Sequence, residues 1–388
     1  MTRPTTDGGR VGRRRYLALA GAGVASLTGC LVRTADRFGG SDGGTNRTGT
    51  DRNVDVETLA TGLEVPWGVG WYDGDLYLTA RPGQVVRLPG GEGPAEVVVE
   101  DITELRSGSG DLIGNLFGSE GGLLGLAFHP TDPTAYSYQT YEGPSGVANR
   151  IVRHELDAEW RATPILEGIP GASIHNGGRL LVNEDEGALY VTCGDANRKE
   201  SAQDTASLAG TVLRLTLSGE PHPDNPFDNE VFSYGHRNPQ GLAFDDGTLY
   251  STEHGPEDDD EVNVLEAGNN YGWPEVTGRT DGDRFTDPLV TYASTVAPAS
   301  AAFYPEDGAI EAWRGDFFFG TLVGEHLHRV RIRQGEVVEQ ERLFEGEFGR
   351  LRTVFVDHAG DLCVTTSNRD GRGTPVDADD RILRFRPD

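Results

Sequence analysis

His175 stands two residues before the pair Gly177-Gly178, at the entrance to an apolar strand pattern, where little side-chain bulk would crowd it. Imidazole titrates near neutral pH and suits general-base work, although a lone histidine is more often structural. Arg237, between His236 and Asn238, is a fixed cation in an acidic protein. It could serve an ordinary salt bridge, or it could stabilise negative charge that develops during a reaction. Gly255-Pro256 offers two successive backbone carbonyls, and calcium accepts neutral oxygen ligands readily. The acidic run Glu257-Asp258-Asp259-Asp260-Glu261 follows, and its first three residues read as solvated loop charge. Arg350 and Arg352 are two apart on a strand-like stretch and therefore share one face, where two guanidinium groups make a fork for carboxylates. Tyr271 and Trp273 read as packing residues of a turn, with ligand contact as the alternative.

Side chains this far apart in the chain need a frame to bring them together, and the frame repeats. An apolar strand runs into a polar turn and then into a second strand, with copies starting near 69, 126, 180, 242, 301 and 354. A spacing of about 53 to 62 residues leaves room for four short strands plus loops, which is a propeller blade. Six copies fill 53–388, so the expected fold is all-β, a six-bladed β-propeller of four-stranded antiparallel blades. Alternating strand patterns and the many turns implied by 54 Gly and 21 Pro agree with this. Two stacked β-sandwiches would not give an even six-fold spacing. Propellers carry function on loops at one end of the central channel.

Formal net charge is −28 over 388 residues, which excludes default nucleic-acid binding because no basic stripe could displace counterions from phosphates. Lys199 is the only lysine, and an acidic, lysine-poor surface suits solubility in high salt. The three cysteines form no disulfide framework; Cys193 and Cys363 sit in apolar strand patterns and read as small buried hydrophobes. Residues 1–30 read as a twin-arginine signal (Arg13-Arg14, then Tyr16-Leu17) ending in the lipobox-like Leu27-Thr28-Gly29-Cys30. The apolar run is too short to span a bilayer. The expectation is an exported, extracytoplasmic protein, tethered to the outer face of the cytoplasmic membrane by a lipid on Cys30. Residues 31–52 read as a disordered tether.

Three collinear strings carry a resemblance: Tyr234-Gly-His-Arg-Asn-Pro-Gln-Gly-Leu-Ala-Phe, Ser251-Thr-Glu-His-Gly-Pro-Glu-Asp-Asp-Asp-Glu-Val-Asn, and Gly268-Asn-Asn-Tyr-Gly-Trp-Pro. With Glu120-Gly-Gly-Leu-Leu-Gly-Leu-Ala-Phe-His-Pro, His175-Asn-Gly-Gly-Arg-Leu and Arg350-Leu-Arg, they resemble the glucose/sorbosone dehydrogenase family dependent on pyrroloquinoline quinone (PQQ), especially its soluble aldose sugar dehydrogenases. The resemblance implies oxidation of an aldose to its lactone by hydride transfer to PQQ, with calcium as Lewis acid. It implies His175 as base, Arg237 as stabiliser of charge on the quinone oxygen, and Asn238 beside it on the cofactor. It implies that Arg350 and Arg352 grip the tricarboxylate, with Glu120 near cofactor and sugar. Calcium would sit on the Gly255 and Pro256 carbonyls, and a second, structural calcium on Glu261 and the Tyr271 backbone. Electrons would leave to a membrane quinone or a redox protein. The glucose-specific branch adds a lysine from a late blade; here that role is unfilled or falls to an arginine such as Arg329. Ser294–Tyr304 resembles a pocket-lining segment of the aldose branch. Two alternatives stay open: a calcium-dependent propeller lactonase or esterase, which has no need of the arginine pair, and a binding propeller that has lost PQQ.

Overall fold

The computed structural model describes residues 54–100, 120–280 and 282–388, and the backbone of Thr45–Gly49. The signal, the lipobox cysteine and the rest of the expected tether lie outside the described residues.

Six sheets follow one another along the chain. The first blade is built from Pro66–Tyr72, Asp75–Ala80, Gln84–Leu88 and Glu96–Glu100, the second from Leu123–Phe128, Thr134–Gly143, Gly146–Glu155 and Arg161–Pro170. The third uses Leu180–Asn183, Ala188–Cys193, Thr211–Thr216 and Val231–Tyr234; the fourth uses Pro239–Asp245, Thr248–Glu253, Asp260–Leu265 and Val290–Tyr292. The fifth runs Pro298–Phe303, Phe317–Thr321, Leu327–Arg333 and Glu336–Leu343, and the sixth begins with Leu351–Val356, Leu362–Thr366 and Ile382–Pro387. Each counted repeat start falls in the first strand of a blade. All four-stranded blades pair antiparallel, and the described helical pieces are short 3-10 turns.

The sixth blade is completed from the other end of the chain. Val54–Ala60 pairs antiparallel with Ile382–Pro387 and supplies its outermost strand. This closes the ring, so that the apolar faces of the first and sixth blades cover each other instead of being exposed. Within the segment read as a tether, Thr45–Gly49 forms a further strand, parallel to Glu339–Leu343 on the outer edge of the fifth blade.

Apolar faces of neighbouring blades pack against each other. Between the fifth and sixth blades the buried cluster holds Trp313, Tyr304, Phe318, Leu351 and Phe385. Toward the channel the first strands approach backbone to backbone. A Cβ on Gly125 would collide with the Gly178 carbonyl oxygen, and one on Gly68 with the Leu126 amide. At the matching position of the third blade stands Arg179. Its guanidinium bonds to the Gln240 carbonyl at 3.1 Å, the Trp67 carbonyl at 3.4 Å and Thr353 Oγ1 at 3.5 Å, so it lies across the channel between four blades. Cys193 and Cys363 are buried and free, as small hydrophobes would be.

The close approach at Gly125 gives a test. Gly125→Ala must push two first strands apart, an overpacking that costs about 1–3 kcal/mol. A lowered denaturation midpoint is expected, and an unchanged midpoint would mean the blades are not in contact there.

Candidate active site

In an antiparallel blade, the start of the first strand and the end of the second lie at the same end of the ring. Most candidate residues issue from one of these two loops, whereas Arg352 lies within a first strand, Glu261 near the start of the third strand of the fourth blade, and Tyr271 in the loop between that blade's third and fourth strands. Glu120 precedes Leu123–Phe128, His175 precedes Leu180–Asn183, Arg237 and Asn238 precede Pro239–Asp245, and Arg350 precedes Leu351–Val356. Asp195, Gly255 and Asp370 follow second strands of the third, fourth and sixth blades. One end of the propeller therefore collects these loop residues.

His175 is held in the left-handed region, with φ of 58°, a conformation a non-glycine residue adopts only when its surroundings enforce it. Its backbone N–H donates to Glu120 Oε2 at 2.9 Å, and its ring Nδ1 lies 2.8 Å from Asp195 Oδ1. Because a carboxylate oxygen accepts, Nδ1 of the neutral ring is the donor in this bond and Nε2 is left as the acceptor. Asp195 is almost fully buried and does more than orient the imidazole. Its Oδ2 accepts the Trp273 indole N–H at 2.9 Å, its Oδ1 accepts the Asn197 N–H at 2.8 Å, and its own N–H donates to the Arg237 carbonyl at 2.8 Å. Trp273 is thus not a packing residue alone: it fixes the carboxylate, and its ring carries the Arg237 guanidinium 5.5 Å from the centroid.

Glu253 performs the same service for the His236-Arg237-Asn238 turn. It accepts from His236 Nδ1 at 2.8 Å, from the Arg237 N–H, and from the Asn238 N–H at 3.3 Å. Burial lowers the pKa of Arg237, opposed by the charges of Asp195 and Glu253. Asn238 is buried, with Oδ1 accepting the Gly177 N–H at 3.2 Å and the Gln240 side-chain amide at 3.1 Å.

Arg350 and Arg352 converge as the two-residue spacing predicts. Both meet Asp370, Arg350 through Nε at 3.0 Å and a terminal nitrogen at 2.8 Å, Arg352 at 3.7 Å. Burial would raise the Asp370 pKa, but Arg352 and Arg350 outweigh it and hold the carboxyl below its ordinary range. Burial pushes Arg352 down to about 10 and, helped by repulsion from Arg352, Arg179 down to about 9.

Two clefts open between these loops. The first is bordered by Trp67, Arg81, Glu120, His254, Arg352 and Arg372. The second is bordered by Arg237, Glu253, Gly255, Pro256, Glu261, Tyr271 and Trp273, so all four expected metal-binding residues border one space. His254 borders both clefts, and its Nε2 is buried without a hydrogen-bond partner among the described residues. Glu261 is raised to about 8 by burial and by the neighbouring charge of Glu253. Among the described residues no three His, Cys, Asp or Glu side chains cluster as metal ligands. A cation here would meet backbone carbonyls together with the carboxylates that border the cleft, Glu253, Asp259 and Glu261.

Two expectations need correction. Arg329 borders neither cleft; it is buried in the third strand of the fifth blade, paired with Asp316 and Glu341 at 2.7 Å each. The cationic side chains at the first cleft are instead Arg81, Arg352 and Arg372. Ser294–Tyr304 borders neither cleft. Its Val296 and Ala297 N–H groups bond Asp260 Oδ2 at 2.7 Å each, while Asp260 Oδ1 accepts the Gly255 N–H at 2.8 Å, so the segment braces the metal-side wall from behind.

The glucose/sorbosone dehydrogenase family model matches residues 63–383, nearly the whole propeller. The chain belongs to this family. It is 29% identical to aldose sugar dehydrogenase YliI of Escherichia coli, over 82% of this chain and 91% of that one. It is 31% identical to quinoprotein glucose dehydrogenase B of Acinetobacter calcoaceticus, over 64% of this chain and 57% of that one. The PQQ-bound structure of the Streptomyces coelicolor aldose sugar dehydrogenase superposes with a TM-score of 0.75 at 35% identity, covering 88% of this chain and all of that one. Family and neighbours are sugar-oxidising oxidoreductases, and PQQ is the cofactor their names point to.

Asp370 is the counter-charge for two buried arginines, and removing one side of a buried pair costs about 3–5 kcal/mol. Asp370→Ala should lower the guanidinium chloride midpoint accordingly. Wild-type stability would show that Arg350 and Arg352 are neutralised elsewhere.

Proposed function

We propose that this protein oxidises an aldose to its lactone, with PQQ and calcium bound at the two clefts. The observation that carries the reading is an excess of positive charge facing one cleft of a protein with net charge −28. Arg81, Arg352 and Arg372 border that cleft against the single carboxylate Glu120, and Arg179 and Arg350 stand behind them. A planar polycarboxylate fits this surplus, because arginine forks match carboxylates and a desolvated cation gains most from an anionic ligand. The unpartnered Nε2 of His254 at the junction of the clefts supports the same fit, since a buried polar atom without a partner calls for a ligand atom.

When bound, PQQ would accept the hydride and calcium would polarise the acceptor carbonyl. Arg352 would hold the cofactor's carboxylates with Arg350 braced behind it on Asp370, Asn238 would lie against the cofactor, and Gly255 and Pro256 would offer carbonyl oxygens to calcium. Glu261, raised by burial, would exchange its proton for a cation's charge beside Tyr271. His175 Nε2 would take the proton from the sugar's anomeric hydroxyl, its ring fixed by Asp195 in the accepting tautomer. Arg237, seated on Trp273, would face negative charge developing on the acceptor. The twin-arginine and lipobox patterns support an exported, membrane-tethered enzyme that passes electrons to a membrane quinone or redox protein.

Reconstitution with PQQ and calcium, followed by dye reduction with a panel of aldoses at low and high salt, tests the reading. Dye reduction is expected in the wild type. His175→Ala and Asp195→Asn should each lower turnover by about 10²- to 10⁴-fold while PQQ affinity stays within threefold. Full turnover in His175→Ala would refute its role as base.

A further inference from the structure

Arg372 differs from Arg350 and Arg352. Arg350 is committed to Asp370 and to the Leu322 carbonyl at 2.7 Å, and Arg352 to Ser367 Oγ at 3.1 Å and Asp370. Both are buried. Arg372, on the turn that follows, keeps 47% of its side chain exposed, and its one carboxylate partner among the described residues is Glu120 at 2.8 Å. Its place on the turn is set independently of that pair, because its backbone N–H donates to Asp370 Oδ1 at 2.9 Å.

Glu120 is shared. One oxygen meets Arg372 and the other holds the His175 N–H. Burial would raise its pKa, but the bonds from Arg372 and from the His175 N–H keep it below the ordinary value, so Glu120 is an anion. An ionised carboxylate at the mouth opposes entry of another anion. It also occupies the guanidinium best placed to meet one.

We infer that Arg372 is a mobile clamp and a determinant of cofactor affinity: it leaves Glu120 for an outer carboxylate of the bound polycarboxylate. One Glu120 oxygen is thereby freed toward the sugar. The inference rests on the PQQ reading above. Arg372 suits this task because a half-exposed arginine loses little on changing partner, an exposed ion pair being worth only about 0–1 kcal/mol. The buried pair on Asp370 supplies fixed grip, and Arg372 supplies the part that closes after entry.

The test is a double-mutant cycle read by PQQ titration at fixed ionic strength with calcium present, followed by tryptophan fluorescence. Arg372→Gln should weaken PQQ at least tenfold, with Arg372→Lys intermediate because the charge remains and the fork is lost. Glu120→Gln should tighten PQQ three- to tenfold in the wild type and by less than twofold in the Arg372→Gln background, since the gain comes from releasing the clamp. Wild-type affinity in Arg372→Gln would overturn the inference. So would an undiminished gain from Glu120→Gln in the double variant, which would mean simple repulsion by Glu120. A wild type that binds no PQQ would instead overturn the cofactor reading, and the inference with it.

Discussion

The site depends on one buried carboxylate. Asp195 leaves the second strand of the third blade and binds three partners from separate loops: the imidazole of His175, the indole of Trp273 and the carbonyl of Arg237. Without it His175 would lose its tautomer, and the tryptophan beneath Arg237 would lose its anchor. A buried carboxylate is costly unless its oxygens are satisfied, and here each oxygen has at least one donor. That satisfaction is also specific, because it is met only when the third and fourth blades sit in one arrangement.

Around this frame the protein separates its charges. The surface is acidic, while arginines gather at one end of the channel. Arg179 is the extreme case: it spans the channel with bonds to uncharged oxygens and stacks 4.2 Å over Trp67. Low-dielectric walls around these cations focus their field on the cleft, which attracts an anionic ligand from solution. A propeller hydrolase that only activates water at a metal would gain nothing from such an array. The arginines therefore favour the dehydrogenase reading over the lactonase one.

Much of this was legible in the chain. The six starts, from near 69 to near 354, mark first strands because each blade repeats the same apolar-turn-apolar pattern. Ring closure was not legible, since Val54–Ala60 pairs with the far end of the chain and its own pattern carries no sign of the partner. The same reason hid Asp195, Glu253, Asp370 and His254. Each is an ordinary residue at a strand end until folding gives it partners, although the recurrence of an acid or histidine just after second strands was a signal in the sequence. Arg329 misled because charge alone suggested it; the strand register sets it beside Glu341 on the outer part of the fifth blade. Arg372 carries no motif, and only the pairing of its turn with Glu120 across 252 positions of sequence brings it to the cleft.

In the proposed reaction, sugar electrons pass directly to a quinone held by these arginines. A single-turnover experiment tests it: the protein loaded with PQQ and calcium is mixed with an aldose under anaerobic conditions, without dye, and the cofactor's absorbance is followed. Reduction of the cofactor by the aldose, one per chain, is expected, and it should slow in His175→Ala. Stoichiometrically bound PQQ that stays oxidised with every aldose tried would contradict it.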